Sequence, residues 1–251
     1  MTTSFNPAIF DSVFPESYPL LFVTISGAHL YGFPSPDSDY DLRGVHILPI
    51  EEVVGLDVGR ETIEVSTEHA DMEIDLVTHD AHKFFLMLLK KNGYVLEQLY
   101  SPLIVKSSPE HEELKSIARK CITRHHVYHY RHFAETQWEL LEKQQPPTAK
   151  ALLYVYRVLL TGTHLMQTGE VEANLAHLNE KYHLPYIEEL IRLKTSSTEK
   201  GGIPEKDLVF HRQEFETLQS RLTVAAEKTS LPDKASARPQ LHDLLVRLRR
   251  K

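Results

Sequence analysis

The chain has 251 residues, 41% hydrophobic and 25% charged, with a formal net charge of -7 at pH 7. That is an ordinary globular composition, long enough for one large domain or two small ones, and it excludes a disordered chain. The acidic balance argues against a broad, sequence-independent nucleic-acid surface, although "RLRRK" at the end is a local basic patch. One cysteine, Cys121, excludes an internal disulfide framework. No apolar run nears the roughly 20 residues needed to span a bilayer. The start "MTTSFNPAIFD" lacks a signal-peptide pattern, so a cytoplasmic protein with no membrane partner is expected.

In chain order, "YPLLFVTIS" (18–26) and "YDLRGVHILPI" (40–50) read as strands. "ETIEVSTEH" and "MEIDLVTHD", separated by "AD", read as a hairpin. Asp80 is placed to cap the helix "AHKFFLMLLKKNG", which Gly93 ends, and "YVLEQLY" is a short second helix. From about residue 108 the strand signal fades. Helical spacing runs through most of 109–145, then through 148–169 with Gly169 as C-cap, and through 184–195, 205–228 and 238–250. "TSSTEKGG" (195–202) is the clearest loop. An α+β chain follows: a small mixed-sheet domain over 1–110 and an all-helical domain over 111–251.

The chemistry concentrates in "GAHLYGFPSPDSDYDLRGVHI". Side chains alternate on a strand, so Asp39 and Asp41 share a face, with Cα atoms roughly 6–7 Å apart. Like charges so placed destabilise a sheet unless a cation sits between them. Oxygen-only ligands favour Mg²⁺, which keeps waters and takes further ligands from phosphates. A third carboxylate comes from "MEIDLV": Asp75, with Glu73 competing on the same face. Gly27 and Ala28 form a tight corner after the first strand, where "AHLYG" opens a helical turn whose free N–H groups suit phosphate. Carboxylate-held metal beside phosphates describes phosphoryl or nucleotidyl transfer.

These residues resemble the DNA polymerase β-like nucleotidyltransferase superfamily, through Gly27, Ala28, Asp39, Asp41 and Asp75. The stretch is similar to the "GSHxYG…SDYDxRG" of bacterial nucleotidyltransferases of the RlaP (RNA repair pathway) type. "KFFLMLLKKNGYVLEQLYSP", "YHYRHFA" and "KALLYVYRVLLTGTHLMQTGEV" extend the likeness over most of the chain. The resemblance implies a palm-like catalytic domain and a helical domain that binds nucleotide and acceptor. It implies two Mg²⁺ ions, with Mn²⁺ as a substitute, held by Asp39, Asp41 and Asp75. It also implies a nucleoside triphosphate whose β and γ phosphates meet Gly27, Ala28, His29 and Ser38. The reaction implied is in-line attack by a hydroxyl on the α-phosphate, releasing pyrophosphate. An RNA end is the favoured acceptor, with a protein or small molecule also open. Ala28 stands where the family has serine, which leaves room for a nucleotide-binding module of weak or no activity.

Other assignments stay open in the sequence. His29 either packs on the sheet or touches ligand. Arg43 is either an ion-pair partner of the aspartates or a phosphate contact. Lys150, Tyr154 and Arg157 share a helical face, a solvent face by spacing; the likeness implies that Lys150 and Arg157 bind nucleotide. Glu97 matches the family too, or else caps or pairs within the first domain. Cys121, His125, His129 and His132 fall on one helical face, too long at about 16 Å to share one ion. That face reads as an ordinary surface or as one available for base stacking or acceptor contact.

Overall fold

The computed structural model describes residues 7–14, 17–69, 72–196 and 202–251. A 3-10 turn over Pro7–Val13 leads to β1 (Leu20–Ile25), α1 (Gly27–Tyr31), β2 (Tyr40–His46) and α2 (Glu51–Val54). Then come β3 (Thr62–His69), β4 (Met72–Asp80), α3 (Ala81–Leu89), α4 (Gly93–Leu99) and β5 (Ile104–Ser107). The helices α5 (Pro109–Ala118), α6 (His126–Lys143), α7 (Ala149–Thr168) and α8 (Leu175–Tyr182) follow. α9 (Pro185–Ser196), α10 (Glu205–Lys228) and α11 (Arg238–Arg249) complete the described chain.

The strands form one sheet in the order β3-β4-β2-β1-β5. β2 and β4 run parallel, and every other neighbouring pair is antiparallel. The architecture is the expected α+β: a mixed sheet, then helices. Alternation sorts the strands onto two faces. Val23, Ile25, Leu42, Ile74 and Leu76 pack with Phe10 and Val13 on one. The other face joins a core that runs continuously from Leu21 to Leu248, through both halves of the chain.

The elements differ from the sequence reading where long-range contacts outweigh local pattern. The helical stretch 109–145 is two helices, parted by a 3-10 turn over Arg119–Cys121. At the break, the buried Thr123 backbone N–H donates to His126 Nδ1 at 3.2 Å. So short a break leaves the apolar spacing almost intact, which hides it from periodicity. The same break puts buried Cys121 off α6, so it shares no helical face with His129. Gly93 does not end α3. It opens α4, capped by Asn92 Oδ1 accepting from Tyr94 N at 3.0 Å. Its reason is close approach, since a Cβ there would stand 2.6 Å from the Tyr130 ring.

β5 is a short edge strand and α8 an unforeseen helix, capped by Asn174 Oδ1. Gly169 does cap α7, at φ 76°. Residues 70–71 of the expected hairpin and 197–201 of the expected loop lie outside the described residues. Asp80 caps α3 as expected, its Oδ2 accepting from His82 N at 2.8 Å. It also receives Arg249 of α11 at 2.5 and 2.7 Å, so part of the basic C-terminal cluster is a buried tie between the two halves. No described helix is long and apolar enough to cross a membrane.

Candidate active site

β1 and β2 are joined through α1, and the joint is tied by Ser26 N donating to the Asp41 carbonyl at 2.8 Å. Gly27 adopts φ 60°, and a Cβ on it would stand 1.9 Å from Asp41 Oδ2. Glycine is therefore required twice, for the left-handed backbone and to leave the Asp41 carboxylate its place. The parallel register sets Asp41 directly beside Asp75. In parallel strands such partners point to the same face, so two acids from different strands stand together.

Asp39, one residue before β2, meets Glu73, one before Ile74. The hydrogen bond between them and the charge of Asp39 hold the Glu73 carboxyl above its usual range. Four carboxylates thus crowd one edge. The cation among them is Arg43, whose Nη2 donates to Asp41 Oδ1 at 2.7 Å. Its Nη1 donates to the carbonyls of Leu42 and Asp75 at 2.8 and 2.9 Å, and its Nε to the Tyr94 hydroxyl at 3.0 Å. All of its bonds are internal, which is the ion-pair alternative.

Beside the acids, His29 stacks on Tyr40 with centroids 4.2 Å apart. Its Nε2 lies 3.3 Å from the Ser38 carbonyl, and burial holds its pKa below the usual value. The loop after α1 is gripped from the helical half by Lys194 of α9. Its Nζ donates to the Phe33 carbonyl at 2.8 Å and to Ser35 and Ser38 Oγ at 2.9 and 3.1 Å. Burial and the charge of Lys150 hold the Lys194 ammonium below its usual pKa. Lys194 therefore reaches Ser38 directly, while Lys150 of α7 lies near enough for its charge to act on Lys194 and Asp37. Lys194 was not singled out by the sequence, where it is one cation on an amphipathic helix 156 residues from Ser38.

A family model for "RlaP: RNA repair pathway DNA polymerase beta family" matches residues 10–247. The chain belongs to that family. Among curated proteins, the uncharacterized protein MJ0002 of Methanocaldococcus jannaschii is 34% identical over 156 residues, 62% of this chain and 64% of that protein. The uncharacterized YcgL of Bacillus subtilis is 25% identical over 154 residues, 61% of this chain and 58% of that one. The match therefore spans less than two thirds of either relative. Among solved structures, a nucleotidyltransferase-like protein from Exiguobacterium sibiricum is 12% identical, with 96% of this chain and 73% of that one covered. Its TM-score of 0.34 is too low to carry an argument. The family membership makes this a nucleotidyltransferase-like protein.

Other residues of this RlaP-family chain lie away from the acids or inside the protein. Arg157, implied to bind nucleotide, is 3% exposed and donates to Glu97 Oε2 at 2.7 Å. Its guanidinium lies 3.8 Å from the Tyr31 ring centroid. Glu97 pairs with α7 of the helical half, not within the first domain. Ala28 is buried in the core, so the family's serine position faces packing as well as the corner. A partly open cavity of about 520 Å³ lies against His29, Tyr40, Tyr100 and Asn174, and none of the four carboxylates lines it.

Among the described residues no three histidine, cysteine or acidic side chains converge as a metal cage. The donor set still suits a hard cation: oxygen atoms alone, crowded enough to raise Glu73. Mg²⁺ is commonly held by one or two carboxylates plus substrate phosphates, so a complete protein cage is not its requirement.

Proposed function

We propose that the protein transfers a nucleoside monophosphate from a nucleoside triphosphate to a hydroxyl, with an RNA end as acceptor, releasing pyrophosphate. The observation that carries this reading is the register of Asp41 beside Asp75, with Asp39 adjacent and Gly27 cut back to admit the Asp41 carboxylate. Asp39, Asp41 and Asp75 would hold Mg²⁺, two ions in the full site, with Mn²⁺ fitting the same oxygens. When bound, such ions stabilise the charge on the attacking and leaving oxygens.

The remaining work belongs to the chain itself. The amides of Gly27, Ala28 and His29 open α1 and lie where intrahelical partners are lacking, so they can receive phosphate oxygens. Ser38 and Lys150 extend that cradle. Lys194 joins it by exchanging one of its three present acceptors for a phosphate oxygen. Asp75 orients the acceptor hydroxyl and takes up its proton. The hydroxyl oxygen then bonds to the α-phosphorus as the bond to the pyrophosphate oxygen breaks. Arg43 fixes the Asp41 rotamer from below. Residues 1–110 carry the reaction in this reading and 111–251 hold nucleotide and acceptor, in the cytoplasm.

A second reading, a nucleotide-binding module without turnover, draws on the Arg43–Asp41 ion pair and on Ala28. Incubation with each α-³²P-labelled triphosphate, Mg²⁺ and total RNA separates the two. Transfer by wild type that is absent in Asp39→Ala/Asp41→Ala supports the enzyme. Metal-dependent binding without transfer supports the module. Lys150→Ala and Lys194→Ala should each weaken triphosphate binding about tenfold, the scale of one charged hydrogen bond.

A further inference from the structure

The histidine-rich face of α6 is not used by the site above. With the turn between α3 and α4 it forms an open groove of about 740 Å³. Lys90 and Lys91 stand on one wall, and Tyr128, His129, His132 and Phe133 on the other. None of the nine residues lining it is acidic, although the chain carries 35 acids against 28 lysines and arginines. Local charge is therefore opposite to the overall balance.

The aromatic side chains are arranged, not scattered. Tyr128 is 63% exposed, and its ring lies nearly parallel to that of His125, at 9°. His129 lies nearly parallel to Phe133, at 11°. Burial pushes the His129 pKa down to about 4, so near neutral pH it presents an uncharged ring. The histidines make no metal cluster among the described residues.

A chain of contacts links the groove to the carboxylates. Asn92 lines it, and Tyr94, two residues on and at most about 7.6 Å away between Cα atoms, receives Arg43 Nε at 3.0 Å. Arg43 in turn holds Asp41 at 2.7 Å.

We propose that this groove binds single-stranded nucleic acid and leads its end to the carboxylates. Lys90 and Lys91 meet the backbone phosphates, and Tyr128 with the His129–Phe133 pair stacks on bases. Lysines beside exposed rings are the pattern that holds single strands, because each base offers a π face once it is out of a duplex. The role as acceptor path rests on the nucleotidyl-transfer reading, whereas the binding itself does not.

The test is fluorescence anisotropy of short 5′-fluorescein single strands, RNA in one arm and DNA in another, with the same sequence as a duplex in a third. Lys90→Glu/Lys91→Glu is compared with Lys228→Glu/Lys234→Glu, an equal charge change at exposed positions elsewhere, and thermal midpoints check folding. The groove reversal should weaken single-strand binding at least about tenfold and flatten the salt slope by about 1.4, at about 0.7 per phosphate contact. Tyr128→Ala should weaken it about tenfold. Metal-dependent triphosphate binding should be unchanged in all of these variants.

Equal weakening by the distant reversal, binding of duplex alone, or no single-strand binding by the wild type would overturn the groove. A preference between RNA and DNA identifies which strand it takes. If groove-dependent binding is found but wild type transfers no label, the nucleotidyl-transfer reading fails and the groove stands. If label transfer to RNA is unaffected by the groove reversal, the acceptor path fails while nucleotidyl transfer survives.

Discussion

Two arginine–carboxylate pairs in this protein look alike in distance and differ in everything else. Arg157–Glu97 and Arg43–Asp41 both close to 2.7 Å. The first is 3% and 2% exposed, one cation for one acid, sealed between α4 and α7. The second is 15% and 30% exposed, and its single cation faces a row of four acids. A sealed, balanced pair holds structure together, because neither member can lose the other without leaving a buried charge. An open, over-acidic cluster is short of positive charge, which a ligand can supply. Distance alone does not separate the two. Charge balance and access do.

The sharpest way to break this contrast is Asp39→Asn. Transfer should fall roughly a thousandfold, since several kcal/mol of metal-borne stabilisation depend on the acids. The thermal midpoint should hold or rise, because a repulsion has been removed. In the same variant Glu73 should titrate nearer the ordinary glutamate range, which carboxyl NMR would follow. A clear loss of stability without loss of transfer would reverse the assignment.

Arg157→Ala should do the opposite and destabilise the fold by about 3–5 kcal/mol, read by urea unfolding, by leaving Glu97 buried and unpaired. Arg157→Met with Glu97→Leu should recover most of that, since an apolar pair of similar volume avoids desolvating two charges. Recovery of stability with triphosphate affinity intact would fix the pair as structural. Recovery of stability with affinity lost would return Arg157 to the nucleotide.

A smaller effect concerns acid. Burial pushes the pKa values of His79, His126 and His129 down to about 4. Each binds a proton near pH 6.5 when unfolded. Between those values the unfolded chain holds more protons, so stability is complete above about pH 6.5 and falls as pH drops towards 4. Thermal midpoints measured across that window should decline, and His126→Gln should flatten the decline if the substitution folds. The smallest expected change is Ala28→Ser. Ala28 packs in the core, so triphosphate affinity should move less than about tenfold, below the full worth of a charged hydrogen bond. A larger gain would show that the hydroxyl reaches the phosphates.

Some of this was legible from residues alone. Strand alternation placed Asp41 on a face of β2, and the tight corner at Gly27 follows from a glycine after an apolar run. The cap at Asp80 and the C-cap at Gly169 are equally local. The helix break at Arg119–Cys121 was hidden because apolar spacing crosses it nearly unchanged. Arg157 sat on a face that spacing alone assigned to solvent, and its interior partner is 60 residues away.

The sequence by itself determined which residues carry charge, the tight corner at Gly27, and the caps at Asp80 and Gly169, because these depend on neighbours a few positions apart. Only the tertiary structure decided that Asp75 stands beside Asp41 and that Lys194 reaches Ser38. It alone buried Arg157 against Glu97 and opened the α6 face towards Lys90 and Lys91. Those facts depend on strand register and helix packing, which are set by burial summed over the whole core and by no local pattern.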